Sequence, residues 1–288
     1  MVGPPRGGAG SPVSPAAASG AEAREAVAAA PFWYHTIEVA PGVSTPGWFD
    51  LRPIVDKLPW PDVRGKRCLD LGTYDGFLAF EMERRGAREV VAADVADHEQ
   101  WDWPVRLRTR GVEYLRTVAG PEKGVGLRVA IEALGSSVQA VEASAYDLSP
   151  ESVGAFDVVV CGSLLLHLRE PLRALEAIRS VCAGQFLSTN QVDPWLTALG
   201  GRAALARLEG MTDLCQWWVP NPAGHRQMLT SMGFTLERES GVYAIPFGPA
   251  HPSRGRGPRA TAHKLLRRAL AGNDGVLHHA ALVRPELQ

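Results

Sequence analysis

The hydrophobic positions of this chain alternate between short apolar runs and amphipathic segments. Uninterrupted apolar runs predict buried strands, and these fall at 66–71, 90–93, 138–142, 155–161 and 185–189. Apolar residues three or four positions apart predict helices, at 77–85, 123–134, 171–181 and 221–232. In the helix at 171–181 the expected buried stripe contains Leu172, Leu175, Ile178 and Val181. Two further strands are predicted at 234–239 and 276–283. Strands that alternate with helices in this way are typical of an α/β fold, here a doubly wound, Rossmann-like sheet.

Changes in composition divide the chain into three regions. Residues 1–20 are Gly, Pro, Ala and Ser with few large apolar side chains, which predicts a disordered tail. Residues 21–58 are an N-terminal cap segment, with predicted helices at 21–30 and 49–58. Residues 59–288 form the main domain, with insertions at about 193–220, expected to be helical, and at 249–274.

The overall charge excludes some classes of function. The 288 residues carry a net charge of −1, so no global field recruits nucleic acid or an anionic membrane. No apolar run approaches the roughly 20 residues that span a bilayer, and no secretory signal is recognisable, so we expect a cytoplasmic protein. The four cysteines have no CxxC spacing, which favours buried free thiols and no metal site.

One glycine turn carries the strongest chemical signal. Gly72 and Gly76 follow the first strand of the main domain, and the next strand ends at Asp94. In a βαβ unit such glycines allow close approach of a ligand, and a carboxylate about 20 residues later accepts hydrogen bonds from two ribose hydroxyls. Asp75 lies inside the turn and would repel a pyrophosphate, which argues against NAD and ATP.

These residues resemble the first motif of the class I S-adenosylmethionine (SAM) methyltransferases. The motif has a hydrophobic pair around an acid followed by G-x-x-x-G, matched by Leu69, Asp70, Leu71, Gly72 and Gly76. The resemblance implies the strand order 3-2-1-4-5-7-6 and SAM as cofactor, with S-adenosylhomocysteine as product and no metal. A Rossmann-like domain for another nucleotide is the alternative. The implied cofactor contacts are Asp70, Gly72, Thr73, Tyr74, Gly76, Asp94, Val95, Ser144, Ala145, Cys161, Gly162 and Ser163.

Three further segments resemble one branch of that family. The segments 35–38, 163–171 and 217–221 are similar to those of the branch that includes the tRNA wobble-uridine carboxymethyltransferase, over roughly residues 31–240. That enzyme has a Tyr where Leu166 precedes His167, and a Lys ahead of the core, whereas no Lys here precedes Lys57. Both departures argue against carboxymethyl transfer and favour plain SAM.

Histidines and aromatic residues are the candidates for the acceptor side. A hydroxyl or ammonium acceptor needs a base, and His167 and His35 are the candidates, whereas His225 is expected to be structural or exposed. All eight tryptophans fall outside the predicted strands. They indicate an aromatic-walled pocket or a cap held in place by aromatic packing. The expected substrate contacts are Tyr34, Trp48, Trp217 and Trp218.

The sequence therefore favours a SAM-dependent methyltransferase that acts on oxygen or nitrogen of a small molecule. An RNA-modifying methyltransferase is the first alternative. Residues 251–273 carry six Arg and Lys side chains and no acidic one, and such a segment could bind RNA phosphates. A solvated loop explains this segment as well, since no aromatic residues are interleaved with the charges. A SAM-binding protein without turnover is the second alternative.

Overall fold

The computed structural model describes residues 17–119, 123–210, 215–252 and 257–286. The first 16 residues of the predicted tail at 1–20 lie outside the described residues. The described strands are β1 Glu38–Ala40, β2 Val43–Ser44, β3 Arg67–Leu71, β4 Glu89–Asp94, β5 Gln139–Glu142, β6 Phe156–Gly162, β7 Cys182–Gln191, β8 Ala206–Leu208, β9 Trp218–Pro220, β10 Phe234–Glu239, β11 Tyr243–Ile245 and β12 Val276–Pro285. The helices are α1 Gly20–Ala29, α2 Phe77–Arg84, α3 Val105–Arg108, α4 Val112–Ala119, α5 Val125–Leu134, α6 Pro150–Val153, α7 Pro171–Val181, α8 Pro194–Leu199, α9 Pro222–Ser231 and α10 Pro258–Ala271.

The main sheet confirms the doubly wound fold and the predicted strand order. Its strands follow one another as β5-β4-β3-β6-β7-β12-β10, which is 3-2-1-4-5-7-6 in chain order. The strands from β5 to β7 are parallel, and β12 is antiparallel to both β7 and β10. The short strand β11 also pairs with β12, at its N-terminal end. This arrangement brings the carboxyl ends of β3, β4 and β6 to one edge of the sheet, where doubly wound folds bind ligands.

Apolar side chains cover both faces of this sheet. On one face Cys68, Val158 and Leu187 belong to a cluster with α2, α5 and the cap segment. On the other face Leu69 and Val159 belong to a cluster with α7 and α9. Burial on both faces explains why the parallel strands are continuous apolar runs in the sequence.

The cap segment is tied to the main domain by backbone hydrogen bonds. Phe49 bridges to His35 on one side and to Phe247 on the other. The Asp50 amide donates to the carbonyl of Pro246 at 3.0 Å. The cap therefore crosses the carboxyl edge of the sheet rather than forming a separate unit.

Two local predictions are wrong. The helix predicted at 49–58 is reduced to one 3₁₀ turn, Val55–Lys57. Its helical spacing reflects burial of Leu51, Ile54 and Leu58, whereas the first amides of the segment are used in the cap bridges. Leu172 was expected on the buried stripe of α7 but is 43% exposed. The buried stripe instead consists of Pro171, Ala174, Leu175, Ile178 and Val181.

The first of the two insertions differs from its prediction, whereas the second contains the short basic helix that its sequence at 262–271 predicts. The segment at 193–220 contains α8 and a two-stranded antiparallel sheet of β8 and β9, so it is only partly helical. The segment at 249–274 contains the basic helix α10. The sequence did not predict α3, α4 or β11. None of the described helices is long and apolar enough to span a membrane.

Candidate active site

The glycine turn between β3 and α2 has an unusual backbone. Gly72, Tyr74 and Gly76 all have positive φ, at 74°, 53° and 89°. A Cβ atom added at Gly72 would lie 3.1 Å from the side chain of Leu164. Tyr74 is not glycine, so its left-handed conformation costs free energy and is the kind of strain that accumulates at ligand sites. The turn is fixed to β4 because the Gly72 amide donates to the carbonyl of Ala93 at 2.8 Å.

Asp94 ends β4 and is held by three donors. Its Oδ2 accepts from the Tyr74 amide at 2.9 Å, and its Oδ1 accepts from the Val95 amide at 2.8 Å. The Nζ of Lys123 lies 2.8 Å from the same Oδ1. Lys123 also faces the rings of Tyr74 and Trp101, at 4.9 and 4.3 Å from their centroids. The sequence did not predict the contact with Lys123. Because a carboxylate has about four acceptor positions, these three donors leave Asp94 one position for a ligand hydroxyl.

Asp75 connects the glycine turn to the cap. Its buried carboxylate accepts the backbone N–H groups of Tyr34 and His35, the second at 2.9 Å. From the sequence alone, Asp75 is expected only to repel a pyrophosphate. The structure adds a second role, because this side chain holds the cap against the turn.

A cavity of about 270 Å³ lies between this turn and the cap. It runs from Asp94 and the turn towards β7, β11 and β12. The predicted residues that line it are Tyr34, His35, Trp48, Asp70, Gly72, Thr73, Tyr74, Asp94, Val95, Ser144, Ala145, Gly162, Ser163 and His167. The structure therefore brings most of the predicted cofactor contacts to one cavity.

Four predicted residues lie outside the lining of this cavity. Gly76 faces Leu127 and Phe80, and Cys161 is buried within β6. Trp217 donates its indole N–H to the carbonyl of Asp102, and Trp218 donates to that of Arg169. Trp217 thus connects the start of β9 to the segment after β4, and Trp218 connects β9 to the segment before α7. The role of both residues as substrate contacts stays a prediction.

The histidines of the cavity are neutral at physiological pH. Burial lowers the pKa of His167 to about 4 and that of His35 to about 3. His167 donates from Nδ1 to the carbonyl of Cys215 at 2.7 Å, so its Nε2 is available as an acceptor. His225 lies in a separate buried network with Ser188 and His279, which agrees with a structural role.

Among the polar cavity residues that the sequence did not predict, four lie on β7, β11 and β12: Thr189, Gln191, Tyr243 and His278. Gln191 and His278 are directly opposed in the pairing of β7 with β12, and Tyr243 opposes His278 in the pairing of β11 with β12. Directly opposed residues share one face of a sheet. The alternation of side chains along the strand at 276–283 could have placed His278 on the cavity face. The sequence did not predict β11, however, and so gave no signal for Tyr243.

The cavity has the chemistry that a SAM molecule requires. SAM carries a sulfonium and an ammonium group, and Asp70 and Asp94 place two carboxyl groups in the cavity wall beside the glycine turn. Aromatic faces of Tyr34, Tyr74 and Trp101 border the same region and attract cations. The described residues contain no cluster of three His, Cys, Asp or Glu that could hold a metal.

Binding of SAM is expected to release protons. Burial raises the pKa of Asp70 to about 7, so this cavity carboxyl is partly protonated in the free protein at neutral pH. A bound cation favours the ionised form, so the pKa of Asp70 falls and the affinity for SAM rises with pH between about 6 and 8. Calorimetry in two buffers of different ionisation enthalpy measures the release. Equal binding enthalpies in both buffers would contradict it, and Asp70→Asn, which cannot titrate, is expected to reduce the difference.

Residues 50–237 match a family model described as a methyltransferase domain. The chain is 31% identical over 188 residues to a ubiquinone biosynthesis O-methyltransferase of Xanthomonas axonopodis pv. citri. The aligned region covers 64% of this chain and 68% of the relative. It is 25% identical over 202 residues to the protein of the same name from Acinetobacter baumannii strain AYE, covering 66% of this chain and 74% of the relative.

Solved structures with similar folds include two methyltransferases. A putative methyltransferase from Bacillus halodurans has a TM-score of 0.49 and 14% identity, covering 82% of this chain and 99% of that chain. The 1,6-didemethyltoxoflavin-N1-methyltransferase of Burkholderia thailandensis, solved with bound 1,6-didemethyltoxoflavin and S-adenosylhomocysteine, has a TM-score of 0.47 and 13% identity. It covers 78% of this chain and 72% of that chain.

Proposed function

Because the chain belongs to the methyltransferase-domain family, we propose that it transfers the methyl group of SAM to an oxygen or nitrogen atom of a small molecule. The observation that carries the proposal is a single cavity with two chemically different ends. One end holds the glycine turn and Asp94, and the other is an apolar chamber beneath the cap. Donor and acceptor can therefore lie side by side in one cavity, and such positioning supplies much of the rate of a displacement reaction.

The glycine-turn end is the proposed cofactor site. When bound there, SAM supplies an electrophilic methyl group on a sulfonium. Asp94 would accept a ribose hydroxyl, with a second hydrogen bond available once Lys123 shifts from Oδ1. Gly72 allows the chain to approach the ligand closely, and the loop that carries Ser144 and Ala145 borders the adenine position.

The cap end is the proposed acceptor site. Its walls are mainly apolar, from Phe49, Leu51, Ile54, Leu58, Leu78, Ile245 and Val276. A few polar groups interrupt them at the β6, β7 and β12 strands. This combination suits a small molecule with an apolar or aromatic body and a hydroxyl or amino group. The names of the related O-methyltransferases support oxygen as the acceptor atom.

The cap contributes by excluding water. Asp75 holds the Tyr34 and His35 backbone over the turn, and His35 faces the cavity. A dry cavity strengthens the electrostatic contacts within it and keeps water from competing with the acceptor. We propose His35 and His167 as polar contacts of the acceptor in this chamber.

The narrower family placement is part of the same proposal. The similarity to the tRNA wobble-uridine branch rests on the segments at 35–38, 163–171 and 217–221, and we propose plain SAM as the donor. Basic side chains of α10 are partly engaged within the protein, since Lys264 and Arg268 pair with Asp274. This pairing favours a small molecule over RNA. The four buried free cysteines are consistent with a reducing, cytoplasmic location.

A transfer assay tests the proposal. The purified protein is incubated with methyl-labelled SAM and a panel of phenols, hydroxylated aromatic acids, amines and total tRNA. We expect label in a small-molecule product at a rate that changes little between about 50 and 200 mM salt. Label that appears only in tRNA, with a steep loss at the higher salt concentration, would contradict the small-molecule assignment. Asp94→Ala is the control for transfer that does not depend on the cavity.

A further inference from the structure

Ser163 and His278 form a hydrogen-bonded pair in the wall of the cavity. Ser163 follows β6 at its carboxyl end, and both residues line the cavity. The distance from Ser163 Oγ to His278 Nε2 is 2.8 Å. His278 Nδ1 lies 2.9 Å from the carbonyl of Val276. A carbonyl only accepts, so Nδ1 carries the proton and Nε2 accepts the hydroxyl proton of Ser163.

The position of His278 is fixed on several sides. The residue is only 4% exposed, and its ring stacks on that of Tyr243 with centroids 5.9 Å apart. Its backbone lies in β12, between β7 and β11. The imidazole is therefore held in one tautomer with Nε2 directed at Ser163.

Ser163 adopts a backbone conformation that favours glycine. Its φ is 54°, and its amide donates to the carbonyl of Thr189 at 2.8 Å. A serine in this region is strained, and glycine would occupy it at lower cost. Strain of this kind persists where the side chain has a use, and the use visible here is the hydrogen bond to His278.

We propose that Ser163 and His278 form a proton relay that takes the proton of an acceptor hydroxyl during methyl transfer. The inference rests on the proposed methyltransferase function and narrows its acceptor to a molecule with a hydroxyl, such as a phenol. Ser163 contacts the acceptor, and His278 receives the proton through Ser163.

The relay gives the acceptor proton a destination while the methyl group moves from sulfur to oxygen. The electron pair of the acceptor oxygen forms the new O–C bond, and the sulfonium S–C bond breaks with its electrons remaining on sulfur as a neutral thioether. The acceptor proton passes to Ser163 Oγ while the Ser163 proton passes to His278 Nε2, giving an imidazolium whose Nδ1–H stays on the Val276 carbonyl. Burial lowers the pKa of His278 to about 4, so its Nε2 is unprotonated at neutral pH. The attacking hydroxyl becomes strongly acidic as the O–C bond forms, so even this weak base can accept its proton.

Ser163→Gly is the most informative variant. It removes the hydroxyl but relieves the backbone strain, so its melting temperature is expected to equal or exceed that of the wild type. Its kcat for the best phenol found with the wild-type enzyme is expected to fall roughly 100-fold or more, with KM for SAM changed less than about threefold. His278→Ala is expected to lose a similar factor, with partial recovery when imidazole is added. His263→Ala, a histidine variant on α10, is the control.

A comparison of acceptors distinguishes proton transfer from a structural effect. The para-nitro derivative of the same phenol is mostly ionised when the assay is run at pH 8, so the loss in Ser163→Gly is expected to shrink there to less than about tenfold. An equal loss with both phenols, or full activity of Ser163→Gly with the phenol that carries no nitro group, would overturn the relay while leaving the methyltransferase function intact. If the wild-type enzyme transfers no methyl group to any acceptor, the proposed function fails and the relay with it.

Discussion

Asp94→Ala is expected to weaken the binding of SAM and S-adenosylhomocysteine roughly 100-fold. Asp94 is the carboxylate at the end of β4, and its side chain is only 16% exposed. Hydrogen bonds to a charged acceptor contribute about 1.5–3 kcal/mol each, and 1.4 kcal/mol corresponds to a tenfold change in affinity. The loss of one or two ribose contacts therefore gives this factor, measurable by calorimetry.

The ion pair with Lys123 complicates this substitution, because Asp94→Ala leaves an unpaired cation beside a cationic ligand. The double variant Asp94→Asn with Lys123→Met removes both charges and separates the two effects. It is expected to bind SAM weakly as well, because the amide cannot accept from two hydroxyls as a carboxylate does. Glu99→Ala, at an exposed acid near the same loop, is the control and is expected to bind normally. Wild-type affinity in the double variant would contradict the assignment of Asp94 to the ribose.

Asp75→Ala is expected to release the cap and to lower the free energy of unfolding by about 2–4 kcal/mol. The substitution leaves the amides of Tyr34 and His35 without their acceptor, and each buried unsatisfied donor costs about 1–3 kcal/mol. Removal of a carboxyl group whose pKa burial raises to about 7 offsets part of that cost. Chemical denaturation measures the stability change, and amide hydrogen exchange over 31–49 measures the release of the cap.

Asp75→Asn is the matched control for this variant. It keeps an acceptor oxygen at nearly the same position, so its stability is expected to fall by less than about 1 kcal/mol. The hydrogen exchange of the cap should then remain slow. If Asp75→Ala and Asp75→Asn behave alike in both measurements, the hydrogen bonds from Asp75 do not hold the cap, and its water exclusion needs another cause.

The sequence predicted the sheet well because its signals are local. Each parallel strand buried on both faces is a continuous apolar run, and the glycine turn, Asp70 and Asp94 lie within one βαβ unit. The helix predicted at 49–58 was wrong because burial gave a non-helical segment the spacing of a helix. In that segment hydrogen bonds from distant residues override the local pattern.

The contacts that the sequence did not predict join residues far apart in the chain. Asp75 meets His35 across 40 residues, Lys123 meets Asp94 across 29, and Ser163 meets His278 across 115. None of these pairs has a motif with fixed spacing. The positions of Trp217 and Trp218 likewise depend on carbonyl partners in other segments. Such contacts follow only from the three-dimensional pairing of strands and loops.

The most direct test of the methyltransferase assignment is calorimetric titration of the wild-type protein with SAM, S-adenosylhomocysteine and NAD⁺ under identical conditions. The cavity and its carboxyl groups predict binding of both sulfur nucleosides at dissociation constants of about 1–100 μM, typical of cofactor sites, and no binding of NAD⁺. Absence of binding by SAM and S-adenosylhomocysteine, or tighter binding of NAD⁺, would contradict the assignment of the glycine turn to SAM.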